Sequence, residues 1–256
     1  MNLEEFTKKF IDQSKRGGIV AVTGAGISTP SGVRDFRGKN GVYNEVVNAE
    51  SILSLPYFFK HPQEFYEFYR KYMIIDDSIK PNKAHYFLKE LEDEGLLNGL
   101  VTQNIDGLDK KAGTNNIIEI HGNGNLYKCI NCSHEYDTTY VLNSNGVPIC
   151  SNCGSILKPN IILYEEGIDY SIIEKESKLI FGAKTLLVIG TRLEVNPTAD
   201  IVKDFCKMAS NVSNSSRNMK VFVINMGNTT IDKSLAVYKY DGSVIDFVDE
   251  YHRQRK

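Results

Sequence analysis

The sequence predicts an α/β fold: a parallel sheet with helices on both faces and a small lobe inserted into it. Three observations carry this. Short, continuous apolar runs at 19–23, 185–189 and 221–224 read as buried strands. Segments with apolar residues at helical spacing lie between them, and strands alternating with helices form parallel sheets. Residues 122–163 break the alternation and carry four of the five cysteines. A separately built unit therefore interrupts the α/β pattern.

The elements follow in order. Leu3, Phe6, Phe10 and Ile11 recur at helical spacing, so 3–15 is expected to be an amphipathic helix, ended by Gly17-Gly18. Strand 19–23 follows, then Gly24-Ala25-Gly26. The stretch 56–73, rich in Phe and Tyr, reads as two helical pieces with Pro56 and Pro62 near their starts. A helix over 83–94 stops at Gly95, and strands are expected at 100–102 and 117–120. After the cysteine segment come a helix at 171–182, strand 185–189, a helix at 198–209 and a polar loop from Asn211 to Asn218. Strand 221–224 and a short strand near 243–245 precede a C-terminal helix. There are no internal repeats.

Composition narrows the classes. Of 256 residues, 41% are hydrophobic, enough for a large core, and the formal net charge is −2. Such a chain is no polycation seeking nucleic acid or anionic lipid. Residues 1–13 mix acidic and basic side chains and lack the apolar centre of a secretory signal. No apolar stretch approaches the ~18 residues that cross a bilayer. A cytoplasmic protein with no membrane partner is expected.

Cys129 and Cys132, then Cys150 and Cys153, form C-x2-C, 17 intervening residues, C-x2-C. This is zinc-ligand spacing: each C-x2-C puts two thiolates on one tight turn, and two turns complete a tetrahedron. Four thiolates close the site, so the metal is expected to build a lobe and do no chemistry. Cys206, in a helical pattern, reads as a small buried hydrophobe.

Polar clusters mark the expected strand ends. Gly24-Ala25-Gly26-Ile27-Ser28 follows the first strand, where glycines permit close approach to a pyrophosphate, although Thr29 stands where a third glycine would complete the dinucleotide fingerprint. Thr102-Gln103-Asn104-Ile105-Asp106-Gly107 and His121-Gly122-Asn123 follow two further strands. Gly32 to Gly38 encloses Arg34, Asp35, Phe36 and Arg37. In open α/β sheets the ligand crevice lies beyond the strands' carboxyl ends, so these clusters face one place.

Together with Gly190-Thr191, Val195-Asn196-Pro197 and Ile224-Asn225, these motifs resemble in kind and order the sirtuins, Sir2-type NAD-dependent protein lysine deacylases, here of the bacterial single-domain type. The resemblance implies a Rossmann-like NAD-binding lobe from 1–32, 81–121 and 164–256. It implies a small lobe with a helical part, 33–80, and a four-cysteine zinc ribbon, 122–163. Gly24, Ala25, Gly26, Ser28 and Thr29 would lie by the NAD phosphates. Asp35, Phe36 and Arg37 would contact the cofactor, with Phe36 over the reactive ribose. Gln103, Asn104, Ile105 and Asp106 would line the nicotinamide–ribose pocket, Asp106 fixing the carboxamide. Gly190, Thr191, Arg192 and Asn225 would meet the adenosine ribose, and Gly242 and Ser243 the adenine. His121 would be the general base, a role suited to an imidazole near neutrality. Ile162-Leu163-Tyr164 and Glu194-Val195-Asn196 would sandwich an acyl-lysine peptide by β-augmentation. The implied products are free lysine, nicotinamide and O-acyl-ADP-ribose.

The chain departs from the family pattern in places. Asp109 stands where His is common, Glu165 where Gly is usual, Arg192 for a common serine, and Val33-Arg34 for Ile-Pro. Succinyl-preferring sirtuins carry Tyr and, three residues on, Arg; here Tyr66 is followed by Tyr69, with Arg70 one position further. A neutral acyl group is expected, acetyl or a longer chain given Phe58, Phe59 and Phe65. ADP-ribosyl transfer or NAD hydrolysis on the same pocket is the alternative. A nucleic-acid-binding zinc ribbon is more distant, because no Lys or Arg lies between Cys129 and Cys153.

Overall fold

A computed structural model describes residues 1–35, 41–211 and 218–256. The chain begins with α1 (Leu3–Ser14), β1 (Ile19–Thr23) and two 3-10 turns at Ala25–Ile27 and Thr29–Ser31. Next come α2 (Val42–Glu45), α3 (Ala49–Ile52), α4 (Leu55–Lys60), α5 (Pro62–Tyr72), α6 (Lys83–Asp93), β2 (Leu97–Thr102), α7 (Leu108–Lys111) and β3 (Ile117–Glu119). The cysteine segment folds as β4 (Gly122–Cys129), β5 (Glu135–Asp137), α8 (Thr138–Asn143) and β6 (Leu157–Ile161). The chain closes with α9 (Tyr170–Phe181), β7 (Thr185–Ile189), α10 (Thr198–Asn211), β8 (Lys220–Ile224), β9 (Val237–Tyr240) and α11 (Val244–Arg255).

One sheet is six-stranded and parallel, ordered β3-β2-β1-β7-β8-β9. Strand β1 is buried at every position, and its side chains alternate between two cores. Ile19 and Ala21 face α1, α6 and α11, where Phe6, Phe10, Phe87, Phe247 and Tyr251 interlock edge to face or tilted. Val20 and Val22 face α9 and α10, packing with Ile180, Val202 and Phe205. Helix α1 starts where the Asn2 side chain accepts the Glu5 N–H, and Asn82 and His85 form a capping box on α6.

The second sheet is antiparallel, ordered β5-β4-β6. Its core joins Phe58, Phe65, Tyr66 and Tyr69 of α4 and α5 to Tyr127, Leu157 and Ile161. The helical module and the cysteine segment thus share one small-lobe core.

Two expectations change. The last strand is 237–240, not 243–245; Ser243 instead caps α11, its hydroxyl accepting the Ile245 N–H. The loop expected from Asn211 begins on the last residue of α10, and 212–217 lie outside the described residues. Among the described residues no helix is long and apolar enough to cross a membrane.

Candidate active site and metal centre

Strand order reverses between β1 and β7, the switch point at which open α/β sheets bind ligands. A cleft of about 610 Å³ opens there at the carboxyl ends of β1, β2, β7 and β8. From after β1 it takes Gly24, Ala25, Gly26, Thr29 and Asp35; from after β2, Gln103, Asn104 and Ile105; then His121. From after β7 it takes Gly190, Thr191, Arg192, Glu194, Val195 and Asn196, and from the far end Asn225, Gly242 and Ser243. Ile162, Leu163 and Tyr164 complete its other wall. Phe36 and Arg37 lie outside the described residues.

Two expected cleft residues stand elsewhere. Ser28 is fully buried, and its hydroxyl donates to Asp106 Oδ2 at 2.7 Å. Asp106, 8% exposed, lines an adjoining cavity of about 250 Å³ that shares Ala25, Asn104 and Ile105 with the cleft. Leu108 N–H donates to Asp106 Oδ1 at 2.8 Å. Behind Ser28 stands His85, its Nε2 3.3 Å from the hydroxyl. His85 Nδ1 accepts the Asn82 N–H, which puts the ring proton on Nε2 and aims it at Ser28. Burial pushes the imidazole down to about 4 and keeps it neutral. Sequence reading missed His85; the signal was an Asn three residues before it at the start of the expected helix.

The glycines meet one another as well as open space. A methyl on Gly26 would lie 2.6 Å from Gly190 Cα, and one on Gly24 2.7 Å from Thr191 Cβ. The β1 and β7 loops close on each other through these positions. Thr191 Oγ1 donates to Gln103 Oε1 at 2.7 Å and links the β2 loop to them.

His121 follows β3, and its Nδ1 lies 2.9 Å from the Gln103 carbonyl. A carbonyl only accepts, so Nδ1 carries the proton and Nε2 keeps its lone pair. Burial lowers the His121 pKa below its usual range, the Gln103 carbonyl opposing. The result is an imidazole base, neutral at neutral pH.

In the wall formed by 162–164, Tyr164 gives its N–H to Leu53 O and takes the Leu55 N–H, while Ile162 gives its N–H to His121 O. Leu163 lies between them with its backbone turned the other way, its N–H held by Glu166 Oε2 at 2.9 Å. Glu165 has φ 62°, left-handed, where glycine would sit without strain. Leu53, Met73 and Tyr43 also line the cleft; no motif announced them.

The expected acyl surroundings need correction. Phe58 and Phe65 are fully buried in the small-lobe core, and none of Phe58, Phe59 and Phe65 lines the cleft. Arg70 is turned to α8, bonding Ser144 Oγ at 3.0 Å and the Val141 and Ser144 carbonyls. Tyr66 is fully buried, its hydroxyl on Leu157 O.

The four cysteines converge, all Sγ atoms within 4.8 Å of one another. Cys129–Cys153 is 3.4 Å, while Cys132–Cys150 and Cys132–Cys153 are 3.5 Å. A tetrahedron of thiolates with Zn–S of about 2.3 Å has edges of roughly 3.8 Å, so the set fits zinc. The two C-x2-C turns close alike: Ser133 N–H to Cys129 O and Gly154 N–H to Cys150 O, at φ 59° and 74°. Tyr136 supports the site from outside, donating to Cys150 Sγ.

The sequence profile of the Sir2 family matches residues 24–197. The chain belongs to the Sir2 family. A relative from Clostridium acetobutylicum, named NAD-dependent protein deacetylase, is 40% identical over 248 residues, 94% of this chain and 96% of its own. One of the same name from Thermotoga maritima is 35% identical over 244 residues, 94% of each chain. A solved Sir2 with a deacetylated p53 peptide and 3′-O-acetyl ADP ribose superposes with a TM-score of 0.86 at 33% identity, covering 97% of this chain and 98% of that one. A Sir2 with p53 peptide and NAD+ gives 0.84 at 32%, with the same coverage. This Sir2 chain therefore has the family's parallel sheet and a four-cysteine zinc site.

Proposed function

We propose that this protein removes acyl groups from protein lysines with NAD as co-substrate, giving free lysine, nicotinamide and O-acyl-ADP-ribose. The observation that carries it is His121: a neutral imidazole with Nε2 unprotonated, in a cleft with the glycine turns on one wall and a strand-like segment on the other. The names of the Sir2 relatives support the same reading.

Bound NAD supplies the ribose electrophile and the nicotinamide leaving group. The backbone at Ala25 and Gly26 would hold its phosphates, and Asp106 would accept from the nicotinamide carboxamide. Ser28 works one layer back, setting the direction of the Asp106 carboxylate. Thr191, Arg192, Asn225 and Ser243 lie on the adenosine side. Phe36 and Arg37 keep the roles the family resemblance gives them. His121 would serve as the base at Nε2, accepting a ribose hydroxyl proton. Leu163 and the facing Glu194-Val195-Asn196 segment pair with the peptide backbone. The zinc stays in the small lobe.

The preferred acyl group is neutral and short. Arg70 and Tyr66 are engaged elsewhere, while Leu53, Met73 and Ile105 give the cleft an apolar side. The compartment is the cytoplasm, because four thiolate ligands need reducing surroundings. The protein takes no nucleic acid or membrane partner: its ribbon lacks basic residues between the first and last cysteine.

The test is a panel of acyl-peptides with NAD, read by mass spectrometry. Nicotinamide release should require an acylated peptide, with acetyl turned over faster than succinyl. Nicotinamide released without peptide would point to NAD hydrolysis, and succinyl winning would overturn the assignment of the acyl pocket.

A further inference from the structure

Asp109 lies in the single turn of α7, three residues after Asp106, and is 3% exposed. Its Oδ1 has no hydrogen-bond partner. Asp106, by contrast, accepts from the Ser28 hydroxyl and the Leu108 N–H. Two carboxyls thus stand three residues apart: Asp106 has two donors, and Asp109 has the Thr102 hydroxyl.

We propose, resting on the assignment of Asp106 to the nicotinamide carboxamide, that Asp109 is a positioning residue for that site. It keeps its proton, so that Asp106 stands as the one carboxylate anion of the turn.

The surroundings decide which carboxyl is charged. A carboxylate is stabilised by the donors aimed at it, and like charges so close do not ionise together cheaply. Burial raises the Asp106 carboxyl as well, but the Leu108 N–H and the Ser28 hydroxyl oppose it and favour the charge there. Among the described residues Asp109 is faced by the Thr102 hydroxyl and no second donor, and its Oδ1 has none. Of the charged groups packed around the turn, Glu119 is a further anion, engaged by Lys110. Lys111 is bound to the Asp77 and Ile79 carbonyls. Lys89 of α6 is paired with Glu92 and Asp93. His85 is neutral and turned to Ser28. Burial first, then the Asp106 charge, push the Asp109 carboxyl up to about 7, with Glu119 adding and the Thr102 hydroxyl opposing. Once ionised, Asp109 repels the Asp106 charge, Asp106 holds its own proton more readily, and the carboxamide acceptor is weakened.

The experiment measures nicotinamide inhibition of the intact enzyme from pH 5.5 to 8.5, for the wild type and Asp109→Asn. In the wild type the inhibition constant should rise roughly tenfold across neutrality, the effect of one pH unit of coupling between neighbouring carboxyls. In Asp109→Asn it should stay flat at the wild type's acid-side value. The His121 titration is common to both and cancels in their ratio. Parallel profiles would overturn the proposal. If nicotinamide inhibits neither protein at any pH, the reading of the Asp106 cavity fails and the proposal with it. Should Asp109→Asn not fold, infrared spectra of the wild type decide: a protonated buried carboxyl at pH 6 that disappears by pH 8.5 is expected, and its absence at pH 6 would refute the idea.

Discussion

In the proposed reaction the chemistry turns on His121, and one hydrogen bond defines its tautomer. Because Nδ1 is given to the Gln103 carbonyl, only Nε2 is left to accept a proton. His121→Ala should lose about 10²–10⁴-fold in deacetylation rate, the usual loss for a general base, while NAD binding by calorimetry persists. Near-normal turnover by this variant would remove the assignment. The acid limb of kcat/KM should fall below pH 6.5, since burial lowers this pKa and activity is lost only when the ring protonates. His121 was legible in the sequence because its place after a strand end is a matter of order along the chain. Ser28 was legible as part of a motif but not in its direction. Whether a side chain faces a cleft or the layer behind it depends on contacts with residues 57 and 78 positions away, His85 and Asp106.

At the scale of elements, α7 is four residues long and escaped the sequence reading altogether. A single turn has no periodicity to read. It nevertheless carries Asp109, whose carboxyl faces the Asp106 charge just ahead of the helix. Asp109 is raised from 3.8 to about 7 in the fold, so the folded state binds the proton more tightly than the unfolded chain. Stability from this group is therefore full below pH 3.8 and is lost as pH rises to 7. Asp109→Asn should recover it at pH 8, with a ceiling on the order of 4 kcal/mol for about three pH units, and change little near pH 4. Thermal melts at the two pH values check this; equal shifts at both would contradict it. His85 has the opposite sign: its folded value is about 4, and stability falls as pH drops from 6.5. The shifted last strand has an equally local cause. Ser243 reads as part of an apolar run with Val244 and Ile245, yet its hydroxyl caps a helix.

For the whole molecule, the insertion is what the sequence made plainest, because cysteine spacing reports ligand geometry directly. It did not report that the ribbon and the helical module share one core. Tyr69 of α5 packs edge to face on Tyr127 of β4, and Tyr66 reaches Leu157 on β6. Metal loss should therefore loosen more than the ribbon. Cys150→Ala is expected to bind no zinc by elemental analysis and to lose hydrogen-exchange protection in α4 and α5 as well as β4–β6. Protection lost in the ribbon alone would show the two parts to be independent. The six-stranded sheet has its own two cores and should keep its protection.

Gly26 and Gly190 touch backbone to backbone: a Cβ on Gly26 meets Gly190 Cα at 2.6 Å, and one on Gly190 meets Gly26 Cα at the same distance. Each therefore forbids a side chain on the other, and Gly190, at φ 64°, also forbids one by its own conformation. No ordered route of single replacements leads away from this pair, since the first step at either position already collides with the unchanged partner. In a pooled variant library selected for function, both positions should be recovered as glycine, and the double replacement should rescue neither.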